Sequence, residues 1–563
     1  MSLQFITGNS GNGKTKYLFN RIVKEAKANP RDNYLVIVPE QFTMQTQRQL
    51  VDLSENKAIM NIDVLSFKRL AYRVFDELGI TNLTVLEETG KNLVLRKLAA
   101  QEADKLGVIG RNLNRIGYIS EVKSLLSELV QYNISPEELG RYIASGRLSD
   151  TLSDKLKDVL VLYEAFEKFM KDKYITAEEI LNVLSNVAED SAILRNSVIA
   201  FDEFTGFTPI QNQLIKKLFV ISKKIYVTLT IDCREDIFKS RGMQELFDMP
   251  KRTVKSLTEM AAFYGIEVEE PIILDKNYRL AENEELSFME QQLFRKRRCS
   301  FKKAPKHIHI DCLRDPKQEL TKIARRINEL VRNENLRYRD IAIVTGDVNI
   351  YAGYVREIFD KYNIPYFIDA TQEILFHPFI EFIRSIPDIA AQNFSADAVF
   401  RFLRCGFSEL LDSEIDVLEN YVLACGVRGK SAWDKKWVRL PKHKAGYDIE
   451  LLNQSREYIM ELLKPVYQVF SDKKSTVKDY VLAIYKLIVL LDIPDKLAKK
   501  EQELLDAGDQ TASKEYGQIY KIVMQLFEKY VAVLGDECMY AEEFTQILDA
   551  GLDAADVAVI PPG

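Results

Sequence analysis

The chain has 563 residues, 47% of them hydrophobic and 28% charged, more than one ordinary core holds, so roughly two to four subdomains are expected. A formal net charge of −6 gives no overall pull toward nucleic acid, and any DNA contact must come from local basic stripes. No apolar run approaches the roughly 20 residues of a membrane span, no apolar signal segment opens the chain, and the six cysteines include no C-x-x-C pair. A cytoplasmic protein with reduced thiols, no membrane partner and no zinc motif is expected.

At the start, Leu3, Phe5 and Ile6 read as a buried strand and Lys14 to Ala28 as a helix. Between them runs G-x-x-x-x-G-K-T, from Gly8 to Thr15. The spacing suits a phosphate cradle formed by Gly8, Asn9, Ser10, Gly11, Asn12, Gly13, Lys14 and Thr15. The glycines let successive N–H groups converge on phosphate, Lys14 reaches the β/γ oxygens, and Thr15 is set to ligate Mg²⁺. "YLVIVPE" at Tyr34 to Glu40 is a second β-like run. From Thr84 to Leu194 the pattern turns helical, with apolar residues at i, i+3, i+4 and i+7. "SVIAFDE" then returns to a strand that ends in acids. Asp202 is the expected metal carboxylate, at the end of a strand neighbouring the phosphate loop, and Glu203 the expected base or water-orienting group.

"IYVTLTID" at Ile225 to Asp232 and "IAIVTG" at Ile341 to Gly346 continue the β-like runs, the mark of parallel α/β sheets. From about Phe376 to Tyr540 a second mostly helical stretch follows. Two basic stripes stand out. One packs Arg295, Lys296, Arg297, Arg298, Lys302, Lys303 and Lys306 together; the other interleaves Trp433 and Trp437 with Lys435, Lys436, Arg439, Lys442 and Lys444. Each suits phosphate contact, and each equally suits a solvated linker or face, with the tryptophans packed inside. Beyond the first stripe, Asp315 and Pro316 predict the start of a helix near Lys317.

Taken together these motifs resemble superfamily 1 helicases of the UvrD, PcrA and RecB type. "VPEQFTMQ" and "VLSFKRLAYRV" are similar to their single-strand contact motifs, "DEFTGFTPIQ" to the metal-carboxylate segment, and "LDKNYRL" to the motif whose arginine, here Arg279, approaches the γ-phosphate. More closely, "SFKRLAYRV", "FDEFTGFTP", "HPFIEFI" and "LENYVLACGVRG" resemble the B-subunit family of bacterial AddAB helicase–nucleases, over essentially the whole chain.

The resemblance implies an α/β fold of two RecA-like P-loop domains with parallel sheets, each carrying a mostly helical insertion. The first domain would comprise 1–83 and 195–290 with insertion 84–194, the second 291–375 and 541–563 with insertion 376–540. It implies a DNA- and ATP-binding, helicase-like subunit that works with an AddA-like helicase/nuclease partner. The pair would process double-stranded DNA ends for recombinational repair and recognise the signal Chi in the emerging single strand. ATP and Mg²⁺ are the implied cofactors, with Glu203 and Arg279 as catalytic residues and Thr15 and Asp202 on the metal. An iron–sulfur cluster is expected only in the full-length protein. Gln41, Thr43, Phe67, Arg69, Tyr72 and Phe207 are the implied single-strand contacts, with core packing left open for Phe67 and Tyr72.

Departures from the motor pattern matter too. The glutamine that couples γ-phosphate to DNA should fall near Glu235, and none is there. The chain starts at the P-loop strand and stops before late helicase or nuclease motifs, which suggests an N-terminal portion. An autonomous superfamily 1 helicase motor is the alternative reading; a small-molecule P-loop kinase fits the length and the "NYRL" segment poorly.

Overall fold

A computed structural model describes residues 1–81, 85–108, 110, 118–146, 148–171, 174–295, 299–368, 372–374, 376–440, 447–553 and 556–557. The chain divides into two compact units. One comprises Met1–Leu86, Ser124–Leu148 and Glu167–Asp311, the other Glu87–Lys123, Ser149–Phe166 and Cys312–Gly563.

The first unit is built on a seven-stranded, all-parallel sheet of β1 (Ser2–Gly8), β2 (Tyr34–Ile37), β3 (Ile62–Leu65), β6 (Val198–Phe201), β7 (Lys224–Thr230), β8 (Glu267–Val268) and β9 (Ile272–Leu274). A separate parallel pair joins β4 (Val85–Leu86) to β5 (Ile175–Thr176). The main order is β3-β2-β6-β7-β1, with β8 and β9 in succession along the outer edge of β1. Its strands are near-continuous apolar runs because both faces are covered. Alternate residues serve opposite cores. Leu3, Phe5, Leu35, Ile37, Ile199 and Phe201 pack with Leu70 and Val74 of α3 (Phe67–Leu78). Ile6, Val36, Val198 and Ala200 pack with Leu18, Phe19 and Ile22 of α1 (Lys14–Ala28).

The sequence placed Asp202 on a strand next to the phosphate-loop strand; instead β7 lies between β6 and β1. The physical consequence is that Thr228 of β7 fills the gap, and its hydroxyl donates to Asp202.

The second unit is mostly helical. Helices Pro378–Ala391, Asp412–Cys425, Ile449–Ser471, Val477–Leu490 and Gln510–Leu534 surround one large core, joined by Leu93 of Glu88–Gln101. Trp433 and Trp437 are buried in it, their rings 5.3 Å apart, so the second basic stripe offers no exposed tryptophan face. Its Lys442 and Lys444 lie outside the described residues, as do Lys296, Arg297 and Arg298 of the first stripe. The short strands β10 (Gln372–Glu373) and β11 (Asp556–Val557) pair antiparallel.

Ahead of this helical body, the expected helix near Lys317 forms as Pro316–Asn333, with Asp315 as its cap, and packs through Leu320, Ala324 and Ile327 on Ile358 and Phe359. The strand expected at Ile341 to Gly346 does not form. These residues join no strand ladder, and Val344 is 93% exposed. No parallel sheet forms among the described residues of the second unit, because an apolar run becomes a strand only where another backbone accepts its N–H and C=O groups. Among the described residues no helix is long and apolar enough to cross a membrane.

Candidate nucleotide and nucleic-acid site

The phosphate loop lies at the carboxyl end of β1, where Gly11 and Gly13 take φ of 88° and 77°. Those left-handed values favour glycine. A Cβ on Gly8 would come within 2.6 Å of the Leu274 carbonyl on β9, and one on Gly11 within 2.8 Å of Asn277 Oδ1. The glycines therefore serve close approach as well as curvature. Asn12 donates from Nδ2 to the Leu274 carbonyl at 2.6 Å. Asn9 spans two neighbours: Nδ2 donates to Glu290 at 2.7 Å, and Oδ1 accepts the Cys233 N–H at 3.0 Å.

Lys14, the first residue of α1, donates from Nζ to the carbonyls of Gly8 and Asn9 at 3.1 and 3.0 Å. Burial lowers its pKa, and the nearby Glu203 and Asp202 carboxylates oppose that shift. Thr15 donates its hydroxyl to Glu203 Oε1 at 3.2 Å. Asp202 is buried; burial raises its pKa and the Thr228 hydroxyl pulls the other way. Its Oδ2 is buried with no hydrogen-bond partner among the described residues, though the nearby Thr15 hydroxyl also helps hold the pKa down. Such an orphan is costly unless something electropositive meets it. Glu203 sits just past the strand with φ of +64°, a strained conformation for a glutamate.

A third segment closes over the loop from β9. The N–H of Tyr278 donates to the Gly11 carbonyl at 2.9 Å and Asn277 Nδ2 to the Ser10 carbonyl at 3.0 Å, while Arg279 reaches Ser10 Oγ at 3.4 Å. Arg279 is thus brought beside the cradle with Lys14, Thr15, Asp202 and Glu203. Asn277, Tyr278, Thr228 and Glu290 escaped sequence reasoning, although "LDKNYRL" carried two of them in plain view. The site's chemistry suits a Mg²⁺-nucleotide: convergent loop amides and a lysine for phosphate, and a hydroxyl beside an orphaned carboxylate for the metal.

Glu235, near which the sequence expectation looked for a motor's glutamine, pairs with Lys251 at 2.6 Å. Lys251 is 4% exposed and also meets Glu245 at 3.3 Å. Asp232 holds both Arg234 and Arg295, which keep its pKa at about 2 against the cost of burial. Arg295 of the first basic stripe therefore serves this ion cluster, and Lys303 pairs with Glu284, so part of that stripe belongs to the fold rather than to a free linker.

The six proposed single-strand residues come from the carboxyl ends of β2, β3 and β6, which are adjacent in the sheet. Gln41 is exposed in the turn after β2. Thr43, at the start of α2 (Thr43–Leu53), is buried and donates to the Glu40 carbonyl at 3.0 Å. Phe67 is 7% exposed and packs with Phe201, Phe204 and Phe207, while Phe207 itself is half-buried. Arg69 and Tyr72 are exposed three residues apart on α3, hence on one face of it. Beside them opens a cavity of about 320 Å³ whose lining includes Glu40, Ser66, Phe67, Lys68, Phe204 and Gln211.

Known proteins set this geometry in context. A family model described as "ADDB, N-terminal" matches residues 5–290. The B subunit of the ATP-dependent helicase/deoxyribonuclease of Lachnoclostridium phytofermentans is 38% identical over 572 residues, spanning 100% of this chain and 50% of its own length. The proteins of the same description from Caldanaerobacter subterraneus subsp. tengcongensis and Clostridium acetobutylicum are 33% and 31% identical, each again along 100% of this chain and 49% of its own length. The chain spans about half the length of the curated relatives it matches.

Proposed function

Since the chain belongs to the AddB N-terminal family, we propose that it is the nucleotide- and DNA-binding, helicase-like portion of the B subunit of an ATP-dependent helicase/deoxyribonuclease. On this reading it assembles with an AddA-like subunit on double-stranded DNA ends, and the exposed face at the carboxyl ends of β2, β3 and β6 reads Chi in the emerging single strand. The same reading takes the first unit as one RecA-like domain and the βα rhythm after Cys312 as part of a second, with helical insertions.

The observation that carries the reading is the gathering of Lys14, Thr15, Asp202, Glu203 and Arg279 around one cradle, next to strand ends that bear Gln41, Arg69 and Tyr72. Bound Mg²⁺-ATP would supply a phosphoanhydride open to attack by water. Lys14 would exchange its two loop carbonyls for phosphate oxygens, and Thr15 and Asp202 would hold the metal. Glu203 would orient water, and Arg279 would offset charge on the terminal phosphate. Coupling that chemistry to stepping along DNA is a separate matter. The pinned Glu235–Lys251 pair argues for a site that binds nucleotide without acting as the main motor.

The test is a paired binding measurement on the purified chain. Lys14→Ala should weaken Mg²⁺-nucleotide binding by about 100-fold, since it removes a charged partner, and leave single-stranded DNA affinity within about twofold. Unchanged nucleotide affinity would refute the cradle assignment.

A further inference from the structure

Arg69 does not stand alone on its helix. Its Nε donates to Glu40 Oε1 at 3.3 Å, and the other oxygen of that carboxylate accepts the Ser66 hydroxyl at 2.8 Å. Ser66 is 4% exposed, and its Oγ accepts the backbone N–H of Arg69 at 3.2 Å, capping α3. The three residues therefore form a closed set. The helix cap fixes the carboxylate, and the carboxylate fixes the guanidinium. The Glu40 charge also lies at the N-terminus of α3, where the helix dipole favours an anion.

As a stabilising device the pair would achieve little, because its side chains are 58% and 53% exposed and such ion pairs are screened by water. Its geometric effect is larger. An arginine held through Nε keeps its two Nη groups as a free fork, and these have no protein partner among the described residues. That fork is the edge that matches guanine O6 and N7. A free arginine would spread over many rotamers, and much of its base preference would go with them.

We propose that Glu40 is a positioning residue for base reading: through Ser66 it locks Arg69 with its Nη fork presented to a guanine of single-stranded DNA. The proposal rests on the assignment of Arg69 as a DNA contact. It separates two neighbours in "VPEQ", Gln41 as a contact and Glu40 as the residue that orients one. A carboxylate beside a DNA path repels phosphate, so its presence there is explained by direction rather than by affinity. Glu40 also borders the 320 Å³ cavity, which makes a direct bond from its carboxylate to a base amino group the competing role.

A double-mutant cycle on the purified 563-residue chain decides the matter. The probes are a labelled oligothymidylate and the same oligomer carrying guanines, read by fluorescence anisotropy at low and high salt. The wild-type chain should prefer the guanine oligomer, and Arg69→Ala should abolish the preference. Glu40→Ala should reduce it about tenfold, while affinity for plain oligothymidylate holds or rises because a negative charge is gone. The double variant should match Arg69→Ala alone, and Glu40→Asp should recover part of the preference. Additive losses in the double variant, or a preference moved to another base by Glu40→Ala, would make Glu40 a direct reader and overturn the proposal. Equal weakening on both oligomers with a lowered unfolding midpoint would make it structural; Glu40→Gln, which keeps the bond from Ser66, then serves as the variant that must still lose preference. No guanine preference in the wild-type chain, or one that survives Arg69→Ala, would refute the Arg69 assignment itself and the proposal with it.

Discussion

Val198–Phe201 and Ile341–Thr345 are near twins as sequence, and the structure treats them as opposites. "VIAF" is β6, buried on both faces with β2 and β7 hydrogen-bonded on either side. "IAIVT" is flanked by the helices Pro316–Asn333 and Val348–Lys361 and lacks a ladder. β-Branched, apolar residues favour a strand in both. What they do not supply is the partner. In the first unit seven strands come together from segments as far apart as Ser2 and Leu274, and each completes the next. The later run has the helices of a βα rhythm without the sheet. Its relatives are about twice as long.

The comparison can be broken most decisively by hydrogen exchange. Amides of Val198–Phe201 should exchange at least about 1,000-fold more slowly than those of Ile341–Thr345, because core strands open only with their whole unit. Similar rates would mean that the later run pairs in solution. In a full-length relative, the positions equivalent to Ile341–Thr345 should become as slow as β6.

Side-chain truncation gives the next contrast. Ile199→Ala should destabilise the first unit by about 2–5 kcal/mol, the usual result of emptying a fully buried site. Val344→Ala should stay within about 0.5 kcal/mol, since nothing packs on it. Denaturant titration of both variants checks this, and a large loss at Val344 would expose a hidden contact.

Within the first unit the cradle can be tested through its cover rather than its charge. Gly11→Ala places a Cβ within 2.9 Å of the Arg279 side chain at φ of 88°. It should displace the Asn277–Arg279 segment and lower Mg²⁺-nucleotide affinity about tenfold, less than the loss expected of Lys14→Ala. An equal or larger loss would show that the loop conformation outweighs the lysine.

A further effect belongs to the second unit and depends on pH. His377 caps the helix Pro378–Ala391, its Nδ1 accepting the Phe379 N–H, and its ring lies 4.4 Å from that of Tyr516. Burial lowers its pKa to about 4. Above pH 6.5 the imidazole is neutral whether folded or unfolded, so it exacts no penalty. As pH falls from 6.5 toward 4 the unfolded chain binds a proton that the folded one resists, and stability falls by up to about 1.4 kcal/mol per unit. His377→Asn, which keeps a capping acceptor, should flatten that slope between pH 6.5 and 5.

These contrasts mark what could be read from the residues alone. Gly8 to Thr15 were legible because the cradle is contiguous and each residue type has a local task. Asp202 was legible because it ends an apolar run. The position of β7 between β1 and β6 was not, and Thr228 went unnoticed with it, since strand order is set by pairing across the chain rather than by any one segment. Asn277 and Tyr278 were missed as cover, and Glu40 as the partner of Arg69, for the same reason: their roles exist only in contacts over long sequence separations. The strand expected at Ile341 failed from the opposite cause, a sound local signal with no neighbour to answer it.

Glu203 carries one more consequence. Its backbone lies in a region where glutamate is uncomfortable by roughly 1–2 kcal/mol, and where glycine or asparagine would rest easily. Laboratory evolution for heat tolerance alone should therefore drift toward those residues at this position, and selection for nucleotide turnover should hold the carboxylate in place. The two regimes would pull one codon in different directions, and its fate in each would report which demand has shaped the protein.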